Sequence, residues 1–259
     1  MKLSMTGQTD LNRLAKAEGL LSRLALATRK AGEKKCKVCD ETVAHFFYAD
    51  HRSFYKCPTC SLIFTKDYPP KDKENGHYQT QWEETQPEFW EKQVDVLLQM
   101  TQNYFQPQNI LDFGAGSGHL TRELQRRGYA VTPLEPMVNG YLKDQDYPHT
   151  FDLIIALEVV EHLHDLWSEF QEIDKVLSPG GIFLCSTALS NPFIEQNDAV
   201  QKFSEWWYKD DFTHVNFFCN ATLARLGERM NWDVDIYANK AFVMIKPPIQ
   251  PHTDILKQP

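Results

Sequence analysis

Residues 109–118 read Asn-Ile-Leu-Asp-Phe-Gly-Ala-Gly-Ser-Gly, so an apolar run leads into Asp112 and then into Gly114, Gly116 and Gly118. Glycine admits positive φ and lets a bulky ligand approach the main chain closely. The stretch therefore reads as a strand that turns sharply into a helix around a nucleotide-type ligand, in the crevice at the carboxyl end of a sheet. The dinucleotide pattern G-x-G-x-x-G fails in both registers, because His119 and Thr121 stand where its last glycine is needed. Glu135 closes the next apolar run, Tyr129–Leu134. An acid at that point can accept hydrogen bonds from both hydroxyls of a ribose. Glu158, Glu161 and His162 follow a further apolar run, 151–157, and His214 lies in the aromatic string 206–218. Histidine titrates near neutrality, which suits removal of a proton. The plainer alternatives are Asp112 as a helix cap, Glu135 as a surface acid, His162 as a cap with Glu161 orienting it, and His214 as a cap or a satisfied core residue.

The chain holds six cysteines, and four of them form C-x2-C, a gap of seventeen residues and C-x2-C: Cys36, Cys39, Cys57 and Cys60. Paired knuckles at this spacing can place four thiolates tetrahedrally around one Zn²⁺. Phe46, Phe47, Tyr48, Phe54 and Tyr55 fill the gap, which suits short strands around a metal, a zinc ribbon. So short a segment builds little core, and the metal would supply folding free energy. Four sulfur ligands close the coordination shell, so this zinc is expected to be structural. Two disulfides or a redox dithiol are the alternatives, and nothing in the sequence places the chain in an oxidising compartment. Cys185 and Cys219 sit among apolar residues and read as packing residues.

The pattern D-x-G-x-G-x-G of residues 112–118 resembles motif I of the class I S-adenosylmethionine (SAM) methyltransferases. The strand ending at Glu135, the strand 151–157 running into Glu-Val-Val-Glu-His-Leu, and the strand 182–187 after the turn Leu177–Gly181 resemble that family in order and spacing, over roughly residues 90 to 245. The resemblance implies an α/β fold with a Rossmann-like seven-stranded sheet. It implies a SAM site made by Asp112, Gly114, Ala115, Gly116, Gly118, Glu135, Pro136, Leu157 and Glu158. Only fifteen residues separate Glu135 from Phe151, where the family fits a helix and a third strand, so the sheet is expected to be reduced at that edge. Asp144 and Asp146 are the acids nearby, and neither is assigned to the adenine.

Glu-Val-Val-Glu-His-Leu is similar to the small-molecule branch of the family, and the Asn/Asp-Pro-Pro-Tyr motif of enzymes that methylate adenine or glutamine is absent. The string Thr213-His214-Val215-Asn216-Phe217-Phe218 resembles a subgroup that joins an N-terminal zinc-binding segment to this domain, including deoxysugar C-methyltransferases. In such enzymes a histidine at this place serves the acceptor, which makes His214 the first candidate base, with Glu161 and His162 beside it. The tryptophans Trp206 and Trp207 read as core before stacking platform. Those deoxysugar enzymes carry a further large C-terminal domain, which sets the sugar substrate in question.

The elements that must position these residues divide the 259-residue chain into four expected parts. They are an N-terminal helix in 1–32, with Leu11, Leu14, Leu20, Leu21, Leu24 and Leu26 at helical spacing; the ribbon in 33–68; the methyltransferase domain in 69–246; and a disordered tail, 247–259. A polar linker follows Pro69-Pro70, a helical region spans Trp82 to Phe105, and the domain ends in a helix over 221–230 and strands over 232–238 and 240–245. No run is long and apolar enough to span a bilayer, no signal peptide is visible, and the expected location is the cytoplasm. The net charge of −8 argues against a partner held mainly by phosphates. Arg23, Arg29, Lys30, Lys34, Lys35 and Lys37 read as a solvated helix face. The expected activity is methylation of a small metabolite or carrier-linked sugar. An RNA or protein methyltransferase that docks through the ribbon, and a SAM-binding protein without activity, remain open. The sequence does not give the oligomer.

Overall fold

The computed structural model describes residues 34–83, 87–194 and 198–249. Apolar residues on both faces of a strand need cover on both sides, the signature of a buried parallel sheet. β4 (Asn109–Phe113), β6 (Phe151–Leu157) and β7 (Leu177–Ser186) are such strands. They join β5 (Ala130–Leu134), β9 (Asp233–Tyr237) and β10 (Ala241–Ile245) in one six-stranded sheet of order β5-β4-β6-β7-β10-β9. The first four run parallel, and β10 is antiparallel to both of its neighbours.

Successive side chains of each strand feed two separate cores. Leu111, Ile154, Phe183 and Phe242 meet Phe170 and Ile173 of α5 (Leu166–Val176) and Leu223 and Leu226 of α6 (Asn220–Met230) on one face. Ile110, Leu153, Ile182 and Val243 meet Val94 and Leu97 of α2 (Pro87–Thr101) and Leu120 and Leu124 of α3 (His119–Arg126) on the other. The strand order reverses at β4, so the carboxyl ends of β4, β5 and β6 open the crevice in which such sheets bind ligands.

The expected seventh strand is missing from this sheet among the described residues. Residues 136–150 hold only the helical turn α4 (Pro136–Asn139) and a 3₁₀ turn at Leu142–Asp144, and β5 is left as the edge. The stretch Leu177–Gly181, expected as a turn before a strand, is the start of β7. Phe151 pairs with Leu177 and Leu153 with Ile182, so five steps of β7 match two of β6 and the excess forms a bulge. Gly181 is required there, since a Cβ would lie 2.8 Å from the Ser178 carbonyl oxygen and 3.0 Å from that of Asp152. The expected polar linker contains a helix, α1 (Lys71–Glu83). It is polar all round with Gly76 at its centre, so it carries no apolar stripe to announce it.

Near the thiols, β1 (Ala44–Ala49), β2 (Arg52–Lys56) and β3 (Ile63–Thr65) form an antiparallel meander. Asp50 and His51 both adopt left-handed φ, 52° and 61°, the backbone of a two-residue hairpin turn that matches the twist of its strands. β3 also pairs with a short strand, β8 (Asn216–Phe217), supplied by the aromatic string far along the chain. Phe47, Phe54 and Ile63 share one buried cluster with Phe203, Trp206, Tyr208 and Phe217. The meander therefore belongs to the compact unit that begins at Cys36. Of the basic residues, Lys37 is half-buried: its Nζ donates to Asn216 Oδ1 at 2.8 Å and lies over the Phe64 and Tyr68 rings. The helix expected in 1–32, the patch residues Arg23, Arg29 and Lys30, and the tail beyond residue 249 lie outside the described residues.

Candidate functional site

A cavity of ≈ 950 Å³ lies at the carboxyl ends of β4, β5 and β6, with Gly114, Ala115, Gly116, Glu135, Pro136, Leu157, Glu158 and His162 in its walls. The glycine loop forms one side. Gly114, Gly116 and Gly118 all have positive φ, at 79°, 53° and 75°. A Cβ on Gly114 would sit 2.5 Å from Val159 Cγ2, so no larger residue fits without moving the loop. The amides of Gly114 and Ala115 donate to the Leu134 carbonyl at 2.8 and 3.0 Å. Glu135 is 8 % exposed; its Oε2 accepts from the Gly116 amide at 3.0 Å and its Oε1 from Met137 at 3.1 Å. This acid is no ordinary surface residue. It ties two loops together, and each oxygen keeps acceptor capacity toward the cavity.

Two residues expected to touch a cofactor stand behind the loop. Asp112 is buried and accepts from Thr121 Oγ1, so it braces β4 against α3. Burial pushes its carboxyl up to about 6. Gly118 caps α3 with its left-handed backbone. Neither belongs to the cavity wall.

Just beyond the end of β6 stands Glu158, whose φ of 51° is unusual for a non-glycine residue. Its Oε1 accepts from Ser186 Oγ at 2.8 Å and its Oε2 from Tyr208 Oη at 3.0 Å. Tyr208 Oη also lies 2.6 Å from Glu161 Oε1 and 3.0 Å from Thr187 Oγ1. A phenol has one proton, so it cannot donate to both carboxylates at once. Glu161 is fully buried with Oε2 unpartnered, and burial, aided by the nearby Glu158, raises its carboxyl well above the usual range. A protonated Glu161 that donates from Oε1 to Tyr208, with Tyr208 donating to Glu158, gives both contacts a hydrogen, and Glu161 Oε2 alone stays unpartnered.

The two histidines occupy different places. His162 lies in the cavity wall, and its Nδ1 is 3.2 Å from the Thr213 carbonyl. His214 lies behind it, with ring centroids 4.7 Å apart, and its Nδ1 is 2.6 Å from the Tyr208 carbonyl. A carbonyl only accepts, so in both rings Nδ1 carries the hydrogen and Nε2 of the neutral ring holds a lone pair. Burial, with His214 next, lowers His162 to about 3, and burial lowers His214 as well. The structure thus brings His162 to the cavity and leaves His214 and Glu161 in the layer beneath. Trp206 stacks between Phe193 and Tyr208 in the aromatic cluster, whereas Trp207 is exposed.

The helix α1 contributes wall residues with no counterpart in the sequence reading. Lys71, Glu74 and Tyr78 face the cavity, and the Tyr78 ring meets His162 edge-on at 5.4 Å. The only sign in the sequence was an aromatic residue in a polar stretch.

Cys36 and Cys60 place their sulfurs 3.6 Å apart, Cys39 and Cys57 3.3 Å, and Cys39 and Cys60 3.8 Å. None of the six cysteines forms a disulfide. A tetrahedron with metal–sulfur bonds of about 2.3 Å has edges of about 3.8 Å, whereas a disulfide needs about 2.05 Å. Amides of Val38 and Cys60 point at the sulfurs of Cys36 and Cys57. The cluster is compatible with a closed four-sulfur zinc site.

A sheet that reverses at β4 over a glycine loop and an acid at the end of β5 defines the nucleotide-binding half of a methyltransferase domain. The chain belongs to that family: residues 82–235 match the methyltransferase domain model. Over 111 residues it is 32 % identical to a ubiquinone biosynthesis O-methyltransferase of Dinoroseobacter shibae, a match covering 35 % of this chain and 45 % of that one. Over 135 residues it is 27 % identical to a malonyl-[acyl-carrier protein] O-methyltransferase of Serratia marcescens, covering 46 % and 51 %. The chain thus spans about half the length of the curated relatives it matches. The fold is similar to that of Burkholderia thailandensis 1,6-didemethyltoxoflavin-N1-methyltransferase, solved with 1,6-didemethyltoxoflavin and S-adenosylhomocysteine. That likeness has a TM-score of 0.50 and 15 % identity, and covers 79 % of this chain and 100 % of the other. Among the described residues no helix is long and apolar enough to cross a membrane.

Proposed function

We propose that this protein transfers a methyl group from SAM to a small molecule or carrier-linked sugar. One observation carries the reading: a single cavity has a glycine loop tied to a buried, acceptor-bearing Glu135 on one side and the groups Glu158 and His162 on the other. When bound, SAM supplies a methyl group already activated on a sulfonium. The loop of Gly114, Ala115 and Gly116 admits its bulk close to the backbone, Glu135 accepts from the ribose hydroxyls, and Pro136, Leu157 and Glu158 line the rest.

The chain's own work is to hold the acceptor in line with the methyl group, keep water out and take a proton. Bound SAM would supply the methyl group for an in-line displacement, leaving as S-adenosylhomocysteine, and the cavity walls would hold the acceptor along that line. The proton lost by the acceptor passes by way of His162, the histidine of the wall, and on to solvent, because burial keeps that ring neutral and it cannot hold the proton. His214, beneath it, fixes that ring by edge contact. Glu161 keeps its own proton, and Glu158, which accepts from Ser186 and Tyr208, faces the cavity. Cys36, Cys39, Cys57 and Cys60 hold one structural zinc.

Calorimetric titration with SAM and with S-adenosylhomocysteine tests the reading. Both bind the wild type, and Glu135→Ala weakens each by about 1–3 kcal/mol, the loss of hydrogen bonds to a charged acceptor. Failure of the wild type to bind either, or unchanged affinity in the variant, overturns it.

A further inference from the structure

We infer that the β1–β2 hairpin beside the thiol cluster is a working part of the acceptor side of the site, and that Arg52 is the positioning residue through which it acts. Arg52 follows the two-residue turn Asp50-His51 directly and is buried, at 6 % exposure. Its Nη1 donates to the carbonyls of Asp211 at 3.2 Å and His214 at 3.0 Å, and its Nη2 donates to that of Lys209. The guanidinium lies over the Phe54 ring, 5.1 Å from its centroid. One rigid, planar fork thus gathers three carbonyls from a six-residue loop. From the other side, Lys209 Nζ reaches back to Asp50 at 3.4 Å.

The same loop sets both histidines. The Tyr208 carbonyl receives His214 Nδ1, and the Thr213 carbonyl receives His162 Nδ1. Immediately after the loop, the Val215 amide donates to the Glu161 carbonyl and the Val215 carbonyl accepts from Thr65 of β3. Val215 is therefore fixed by sheet pairing, whereas residues 209–214 make no ladder: a 3₁₀ turn over Trp207–Asp210 and the Asp211 carboxylate, which accepts from Thr213, shape them locally, and Arg52 ties three of their carbonyls to the hairpin. Without the fork, the carbonyls of Tyr208 and Thr213 lose their fixed aim. The two imidazoles then no longer hold a single tautomer, and the His162 ring in the cavity wall, whose Nε2 lies 3.9 Å from Glu161 Oε1, is no longer set. A lysine keeps the charge and the stem but cannot span three carbonyls.

The role given to His162 rests on the methyltransferase reading; the Arg52 contacts do not. The test uses the full chain with its zinc, labelled with ¹⁵N. Long-range ¹H–¹⁵N imidazole spectra are recorded for the wild type, Arg52→Lys and Arg52→Gln, each with S-adenosylhomocysteine affinity measured alongside. The expected result is a fixed Nδ1–H pattern for His162 and His214 in the wild type. In both variants that pattern becomes a tautomer average while S-adenosylhomocysteine affinity stays within about twofold. Unchanged histidine signals in either folded variant overturn the inference. So does loss of ligand binding together with the histidine pattern in Arg52→Lys, because the arginine would then support the fold at large. Should Arg52→Gln not fold, Arg52→Lys decides. A wild type that binds no S-adenosylhomocysteine refutes the methyltransferase reading and leaves the histidine spectra to judge Arg52.

Discussion

The two sides of the cavity are built in opposite ways. The side with the glycine loop comes from one contiguous stretch, Asn109 to Pro136: strand, loop, helix and second strand, closed by hydrogen bonds from Gly116 and Met137 to Glu135. The facing side is gathered from distant pieces. His162 comes from the end of β6, Tyr78 from α1, Tyr208 and His214 from the aromatic string, and Arg52 from the hairpin. The contrast teaches that a ligand common to a family can be held by local backbone geometry. A particular acceptor is met by side chains that only long-range packing brings together.

The largest effect is expected where the facing side depends on the thiol cluster. Structural zinc in small modules contributes on the order of 10 kcal/mol of apparent binding free energy. Cys57→Ser is expected to lose the metal and to loosen β1–β3. Because β8 is the fourth strand of that sheet and Phe203, Trp206 and Tyr208 share its core, the loosening is expected to reach residues 203–217 and to spare Asn109–Leu134. Hydrogen exchange of the two regions, with elemental analysis for zinc, reads this directly. Protection retained at Val215–Phe217 after the zinc is gone would break the contrast, because the facing side would then stand without the cluster.

A smaller effect sharpens the other side. Gly114→Val puts a Cβ where Val159 already stands and asks for φ of 79° from a β-branched residue. SAM affinity is expected to fall about 100-fold, in the range of a few kcal/mol that strain and overpacking cost. Calorimetry checks it. Protection at 203–217 should be unchanged, since the Val159 side chain that meets the loop packs in a different buried cluster from Phe203, Trp206 and Tyr208.

The most gradual effect is in pH. His162 in the folded protein is lowered to about 3 from an ordinary 6.5, first by burial. On acidification the unfolded chain therefore takes up a proton before the folded one, and stability is lost as pH falls from 6.5 toward 3. The slope this group contributes is about 1 kcal/mol per pH unit. Glu161 is shifted the other way, raised by burial, so it costs stability as pH rises above 4.5. Melting curves across pH 4 to 8 should show a flatter acid limb in His162→Gln and a flatter alkaline limb in Glu161→Gln. An acid limb of equal slope in His162→Gln would show that this ring is not held neutral.

Much of the fold was legible where burial imposes a pattern. The apolar runs of β4, β6 and β7 announced a parallel sheet, and the terminal helix and strand pair lie within one residue of their expected bounds. The short spacing from Glu135 to Phe151 announced the missing strand. Three features were illegible for identifiable reasons. Helix α1 has no apolar face. The bulge at the start of β7 is coded by Ser178-Pro179-Gly180-Gly181, which locally is a turn and becomes strand only through pairing with β6. The order of the two histidines depends on how residues 206–217 fold back over β6, and no local signal carries that.

What the sequence by itself determined is the chemistry that needs adjacent residues: the positive-φ loop, the acid that closes β5, and two C-x2-C knuckles. In each, neighbouring side chains and backbone can satisfy one another with little help from elsewhere. Only the tertiary structure decided which histidine meets the cavity, that Glu161 lies sealed beneath Tyr208, and that the thiol-bearing meander pairs with a strand of the aromatic string. Those outcomes turn on burial and on hydrogen bonds between residues some 50 to 160 positions apart. Desolvation and carbonyl direction are properties of the packed interior, and no short stretch of chain contains them.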